Sequence, residues 1–100
     1  MLLKLITIRA SHKKEKKLDA VFEIDKEGHK KEKIVSFGAK GMSDFTKHHD
    51  ESRKERYITR HQSNEDWNNP LTAGALSRYV LWEKPTLKGG IKAFKSRFGL

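Results

Sequence analysis

Hydrophobic and polar positions change period along this 100-residue chain, and the changes mark three zones. In the first, period two dominates. "LKLITIR" sets Lys4, Ile6 and Ile8 on one face and Leu3, Leu5, Thr7 and Arg9 on the other, and its β-branched residues favour a strand. A charged connection, "HKKEKK", follows. "LDAVFEI" then alternates with Leu18, Ala20, Phe22 and Ile24 pointing one way and Asp19, Val21 and Glu23 the other. "DKEGHKK" supplies a turn at Gly28, and "EKIVSFG" completes a hairpin over roughly residues 18–24 and 32–37. These strands predict a small antiparallel sheet with one wet face.

The second zone opens between Gly38 and Gly41, where Ser43 and Asp44 are good cap residues. From Asp50, "DESRKERYITRH" reads as a helix: acidic residues lead and basic residues follow, which suits the helix dipole. Its apolar stripe is narrow, limited to Tyr57 and Ile58 with His61 beside them. "QSNEDWNNP" ends it, and Pro70 is expected in the first turn of the next helix. In the third zone Ala73, Leu76, Tyr79 and Val80 recur at helical spacing, with Leu81 and Trp82 widening the stripe. Lys84-Pro85 ends this helix, and Thr86 is placed to cap another. Leu87, Ile91, Phe94 and Phe98 give that last helix an apolar face, weakened by Gly89-Gly90 at about 1 kcal/mol per glycine. The expected fold is α+β: an N-terminal antiparallel sheet of about three strands packed with two or three C-terminal helices, in one small domain over residues 1–100. The expected core is Leu18, Phe22, Ile24, Ile34, Phe37, Tyr57, Ile58, Leu76, Val80, Trp82, Leu87, Ile91 and Phe94.

Composition changes this picture in one respect. Hydrophobic and charged residues each make up 35%, against about 45–50% and about 25% in an average globular domain. Such a chain buries a thin core, and either partial disorder or stabilisation by a partner is expected. It has no cysteine, so neither a disulfide framework nor a thiolate metal site is expected. Its first apolar run, "MLLKLITI", is broken by Lys4 and reads as a strand; neither membrane insertion nor secretion is expected, and a cytosolic or nuclear setting is the default.

The motifs "VSFGAKGMSDFT", "HHDESRKERYITRH", "EDWNNPLTAGALSRYVLWEKPTL" and "IKAFKSRF" occur in that order. Together they resemble a family of short uncharacterised proteins from nucleocytoplasmic large DNA viruses, the giant viruses of algae and protists. The resemblance covers roughly residues 18–98. It implies a viral origin, with the virion or the host cytoplasm or nucleus as the location and viral structural proteins as partners. It implies no activity.

The net charge of +9 is unevenly distributed. Residues 1–43 and 84–100 each carry +5, and residues 44–83 carry −1. Basic ends around a neutral middle point to a polyanionic partner, DNA or RNA contacted through phosphates, or an acidic protein surface. Two lysine groups are the candidates: Lys13, Lys14, Lys16, Lys17, Lys30, Lys31 and Lys33 around one edge of the sheet, and Lys88, Lys92, Lys95 and Arg97 on the last helix. Arg53, Arg56 and Arg60 share a helical face, but Glu51 and Glu55 interleave with them, which argues against base reading. Arg78, Tyr79 and Trp82 are residue types enriched at interface hot spots, or else they fill the small core.

Catalytic chemistry lacks a motif. No nucleophile elbow, phosphate-binding loop or metalloprotease signature is present. His48, His49 and Asp50 are adjacent, so their side chains diverge rather than converge on a metal, and Asp44, Asp50, Glu65 and Asp66 would need the fold to gather them around magnesium. The expectation is a non-enzymatic protein with no cofactor, no metal and no small-molecule substrate. Its expected role is a virion structural or assembly component, a minor capsid or capsid-lining protein with a polyanion-facing surface. The alternative is a sequence-nonspecific nucleic-acid binder in DNA packaging or regulation.

Overall fold

A computed structural model describes residues 2–100; Met1, which heads the first apolar run, lies outside them. Strands β1 (Leu2–Ala10), β2 (Lys16–Lys26) and β3 (His29–Ala39) form one antiparallel sheet in the order β1-β2-β3. Helices α1 (Phe45–His48), α2 (Glu51–His61), α3 (Ala73–Leu76) and α4 (Leu87–Phe98) follow, and α3 continues into a π-helical turn at Ser77–Leu81. The architecture is the expected α+β one, with four helices rather than two or three.

The β2–β3 hairpin is longer than the alternating segments suggest, because charged residues continue the ladder to Lys26↔His29. The turn between them is the pair Glu27-Gly28, at φ 55° and 82°. A two-residue hairpin turn with both φ values positive matches the right-handed twist of the strands, and glycine takes such a value without a steric penalty.

β1 departs from simple alternation. Leu5 faces Phe22, but Thr7, not Ile6, faces Val21, so Ile6 is an extra residue in a β-bulge. Before the bulge Leu3 and Leu5 share the face of Ile24 and Phe22; after it Ile8 and Ala10 share the face of Ala20 and Leu18. One inserted residue thus keeps Leu3, Leu5 and Ile8 all inward, and it leaves Ile6 at 47% exposure. The expected grouping of Ile6 with Ile8 is corrected accordingly. β3 brings a second correction. Val35, paired with Ala20, packs on the core, whereas Ile34 pairs with Val21 on the opposite face and is 40% exposed.

The helices cover the Leu5, Phe22 and Phe37 face. Leu76, Val80, Leu81 and Phe94 close the core against it, and Phe94 meets Phe22 with ring centroids 6.4 Å apart. Fully burying each of these large side chains stabilises the fold by about 1.5–3 kcal/mol. Gly90 has a packing reason: a Cβ there would lie 2.0 Å from the Val80 carbonyl oxygen, so α4 runs directly against the backbone of the π turn. Leu87, expected inside, is 40% exposed at the start of α4, and Ile58 is only half-buried. Pro70 does not open a helix. It lies in the turn before Thr72, whose hydroxyl caps α3 by accepting from the Ala75 N–H at 3.1 Å.

Candidate functional site

A row of uncompensated charge lies on α4. Thr86 caps this helix by accepting from the Gly89 N–H at 3.1 Å, which sets its phase. Ile91, Phe94 and Phe98 then turn toward the core. Lys88, Lys92 and Lys95 fall in a row on an adjacent flank, all exposed. None lies within ion-pair distance of a carboxylate among the described residues. Arg97 is not part of that row. It lies on the far flank of the helix, donates to the Asn68 side-chain oxygen at 3.0 Å and sits 5.0 Å from the Tyr79 ring centroid.

The sheet lysines are divided between the two ends of β2. Lys13 and Lys14 occupy the β1–β2 connection, and Lys30, Lys31 and Lys33 lie on β3 near the other turn. Lys31 pairs with Ile24, so at about 3.4 Å per residue it lies roughly 24 Å along the ladder from Lys17. Lys31 and Lys33 lie on the sheet face that the helices cover, and Lys30 on the other, 4.0 Å from Glu23. Lys17 is engaged in the fold: its ammonium donates to the buried Asp44 carboxylate at 2.5 Å. Asp44 also caps α1 by accepting from the Thr46 N–H at 3.0 Å.

Around that ion pair lies an open groove of about 700 Å³. Its apolar lining is Leu18, Met42, Leu81 and Leu87, and its polar lining includes Lys40, Ser43, Thr46 and Lys47. A second, smaller cavity of about 340 Å³ shares Lys17, Met42, Ser43, Asp44 and Leu81 with it and reaches Lys16, Arg60 and His61. Lys40 and Lys47 had no signal in the sequence. One follows a strand end and the other is on a one-turn helix, so neither belongs to a periodic pattern.

The Arg78, Tyr79 and Trp82 trio is built into the helical layer. Trp82 stacks parallel on Tyr57, with centroids 4.3 Å apart and planes 4° from coplanar, and His48 lies 5.3 Å from it. Arg78 donates to Glu83 at 2.6 Å and lies over the rings of Trp67 and Tyr79. Burial pushes the Tyr57 hydroxyl up to about 12, with the nearby Glu65 carboxylate adding to the effect. Burial also lowers the His48 pKa, with Arg53 adding to it, and His48 Nδ1 accepts from the Asp50 N–H at 2.9 Å. His48 is half-buried, while His49 is exposed.

The four carboxylates considered for magnesium have separate tasks. Asp44 holds Lys17, Asp50 caps α2, Glu65 approaches His61 at 3.5 Å, and Asp66 accepts from the Asn68 N–H in a turn. No group of three or more His, Cys, Asp or Glu side chains arranged to hold a metal ion occurs among the described residues. No described helix is long and apolar enough to cross a membrane.

A fully buried carboxylate missed in the sequence is Asp19, on the sheet face away from the helices. It accepts from the Ser11 hydroxyl at 2.6 Å, the Ser36 hydroxyl at 2.7 Å, the His12 N–H at 3.2 Å and the His12 ring Nδ1. Burial alone would raise its pKa; the hydrogen bonds outweigh burial and hold it well below the usual carboxylate value. Ser36 reaches it only through the strand register, which pairs Asp19 with Ser36 across β2 and β3.

Residues 6–61 match a family of unknown function, DUF5754. The chain belongs to that family. The DUF5754 segment runs from β1 to the end of α2, so it includes the Asp19 network and the Lys40–Lys47 side of the groove, and it stops before α3 and α4. No curated protein and no solved structure matches the chain.

Proposed function

We propose that this member of DUF5754 is a non-enzymatic protein that holds a polyanion, and that it serves as a structural or assembly component of a virus particle, a minor capsid or capsid-lining protein facing packaged nucleic acid. The observation that carries the polyanion reading is the α4 row of Lys88, Lys92 and Lys95, exposed and without carboxylate partners. Three cations over about 10 Å of helix axis can neutralise several phosphates, since duplex DNA presents one charge per ~1.7 Å. Nothing comparable supports base reading. Arg53, Arg56 and Arg60 are interleaved with Glu51 and Glu55, and Trp82 is already stacked on Tyr57. The viral setting rests on the ordered motifs from "VSFGAKGMSDFT" to "IKAFKSRF".

Fluorescence anisotropy with labelled duplex DNA across a salt series tests the polyanion reading. Binding is expected to fall linearly on a log–log plot. Changing Lys88, Lys92 and Lys95 together to Glu should abolish retention at physiological salt and make the slope shallower by about 3. A variant that binds as well as the parent overturns the assignment. The particle reading is tested separately, by sedimentation of nuclease-treated virions: a fixed copy number per particle is expected, and absence from purified particles leaves only the nucleic-acid binder used in packaging or regulation.

A further inference from the structure

A second surface, independent of the α4 lysines, is the groove at the start of β2. Met42 and Leu87, two of its apolar lining residues, are 66% and 40% exposed and lie together in one groove lining. Leu18 and the buried Leu81 continue the same apolar lining. Lys40 and Lys47 stand exposed in the groove wall, with no carboxylate in ion-pair reach among the described residues. The one acid in the lining, Asp44, is neutralised by Lys17 and engaged by Thr46. An occupant therefore meets an apolar floor flanked by two free positive charges. A volume of about 700 Å³ falls within the ~300–1,000 Å³ of ordinary ligand sites.

From this combination we infer that the groove docks an acidic segment of a partner protein, one large aliphatic or aromatic side chain seated between Met42, Leu81 and Leu87 and flanking carboxylates meeting Lys40 and Lys47. Charge complementarity selects the acidic partner. The apolar lining disfavours nucleic acid, whose phosphates gain nothing from it and which would find no free aromatic face to stack on in this groove.

The test uses the full chain and a short labelled peptide with one leucine between glutamates, read by anisotropy. Saturable binding is expected, weakened about tenfold or more by Met42→Asp and by the pair Lys40→Glu and Lys47→Glu. Met42 is largely exposed, so its variant should keep the parent circular dichroism spectrum; if it does not, Met42→Gln takes its place. The Lys88, Lys92 and Lys95 changes should leave peptide binding intact and remove DNA binding, so the two surfaces fail separately. An all-glutamate peptide that binds equally well would show a merely ionic surface and overturn the proposal. So would unchanged affinity in the Met42 variant. Displacement of the peptide by laurate or duplex DNA at comparable concentration would reassign the groove to an acyl anion or to nucleic acid.

Discussion

Asp19 and Gly90 are each decided by what a single neighbouring group permits. Asp19 gathers two serine hydroxyls and both nitrogen donors of His12 around a carboxylate without solvent contact. Its folded pKa lies below its ordinary value of 3.8, so its stabilising effect is fully present above that value and is lost as pH falls through the folded pKa. Asp19→Asn should cost about 1–3 kcal/mol at pH 7, through weakened and unmet hydrogen bonds. Urea unfolding should show the gap between parent and variant constant from pH 7 down to about pH 5 and narrowing below pH 4. Gly90 has no room for a methyl group, because the obstacle is backbone and cannot rotate away. Gly90→Ala should therefore lower stability by about 1–3 kcal/mol despite the better helix propensity of alanine, measured as a lower urea midpoint.

Among the elements, β1 shows where pattern reading holds and where it stops. The strand itself was legible from its β-branched residues, as were the hairpin and the long last helix. The bulge was not, because apolar residues at both Ile6 and Ile8 let the segment be read as regular alternation; only pairing with β2 reveals that Ile6 has no partner. The same limit moved Ile34 and Val35: alternation gives a period but not which face meets the helices. The π turn was hidden likewise, since Ser77–Leu81 has ordinary helical spacing. Of the candidate surfaces, the α4 lysine row followed directly from helical periodicity. Lys40, Lys47 and the Asp19 network depend on loops and strand register, which no local pattern encodes. The bulge is directly testable. Deleting Ile6 leaves Leu3, Leu5 and Ile8 in regular alternation on the core face, so the protein should still fold, with stability within about 1 kcal/mol of the parent. Loss of the folded near-ultraviolet dichroism would mean that the extra residue is required.

For the whole molecule, the sheet and the C-terminal helices share one core, and that core crosses the boundary of the matched family segment. Residues 6–61 contain Phe22, the strand partner of Leu5, and Phe37 beside it in the core, while Leu76, Val80, Leu81 and Phe94 lie beyond them. A fragment limited to residues 6–61 should therefore fail to fold cooperatively, bind a hydrophobic dye and aggregate at micromolar concentration. A cooperative urea transition in that fragment would show that the sheet and α2 suffice. The charge follows a different division. The groove wall of Lys40 and Lys47 belongs to the matched segment, and the α4 row does not.

That division of the core has a consequence during synthesis. The hairpins join sequential neighbours and can form as soon as they leave the ribosome, but their cover arrives last. At about 5–20 residues per second, translating from Gln62 to Phe98 takes roughly 2–7 s. For that interval the nascent chain presents Phe22 and Phe37 on an open sheet face, the kind of apolar surface that a chaperone binds, until α4 is made.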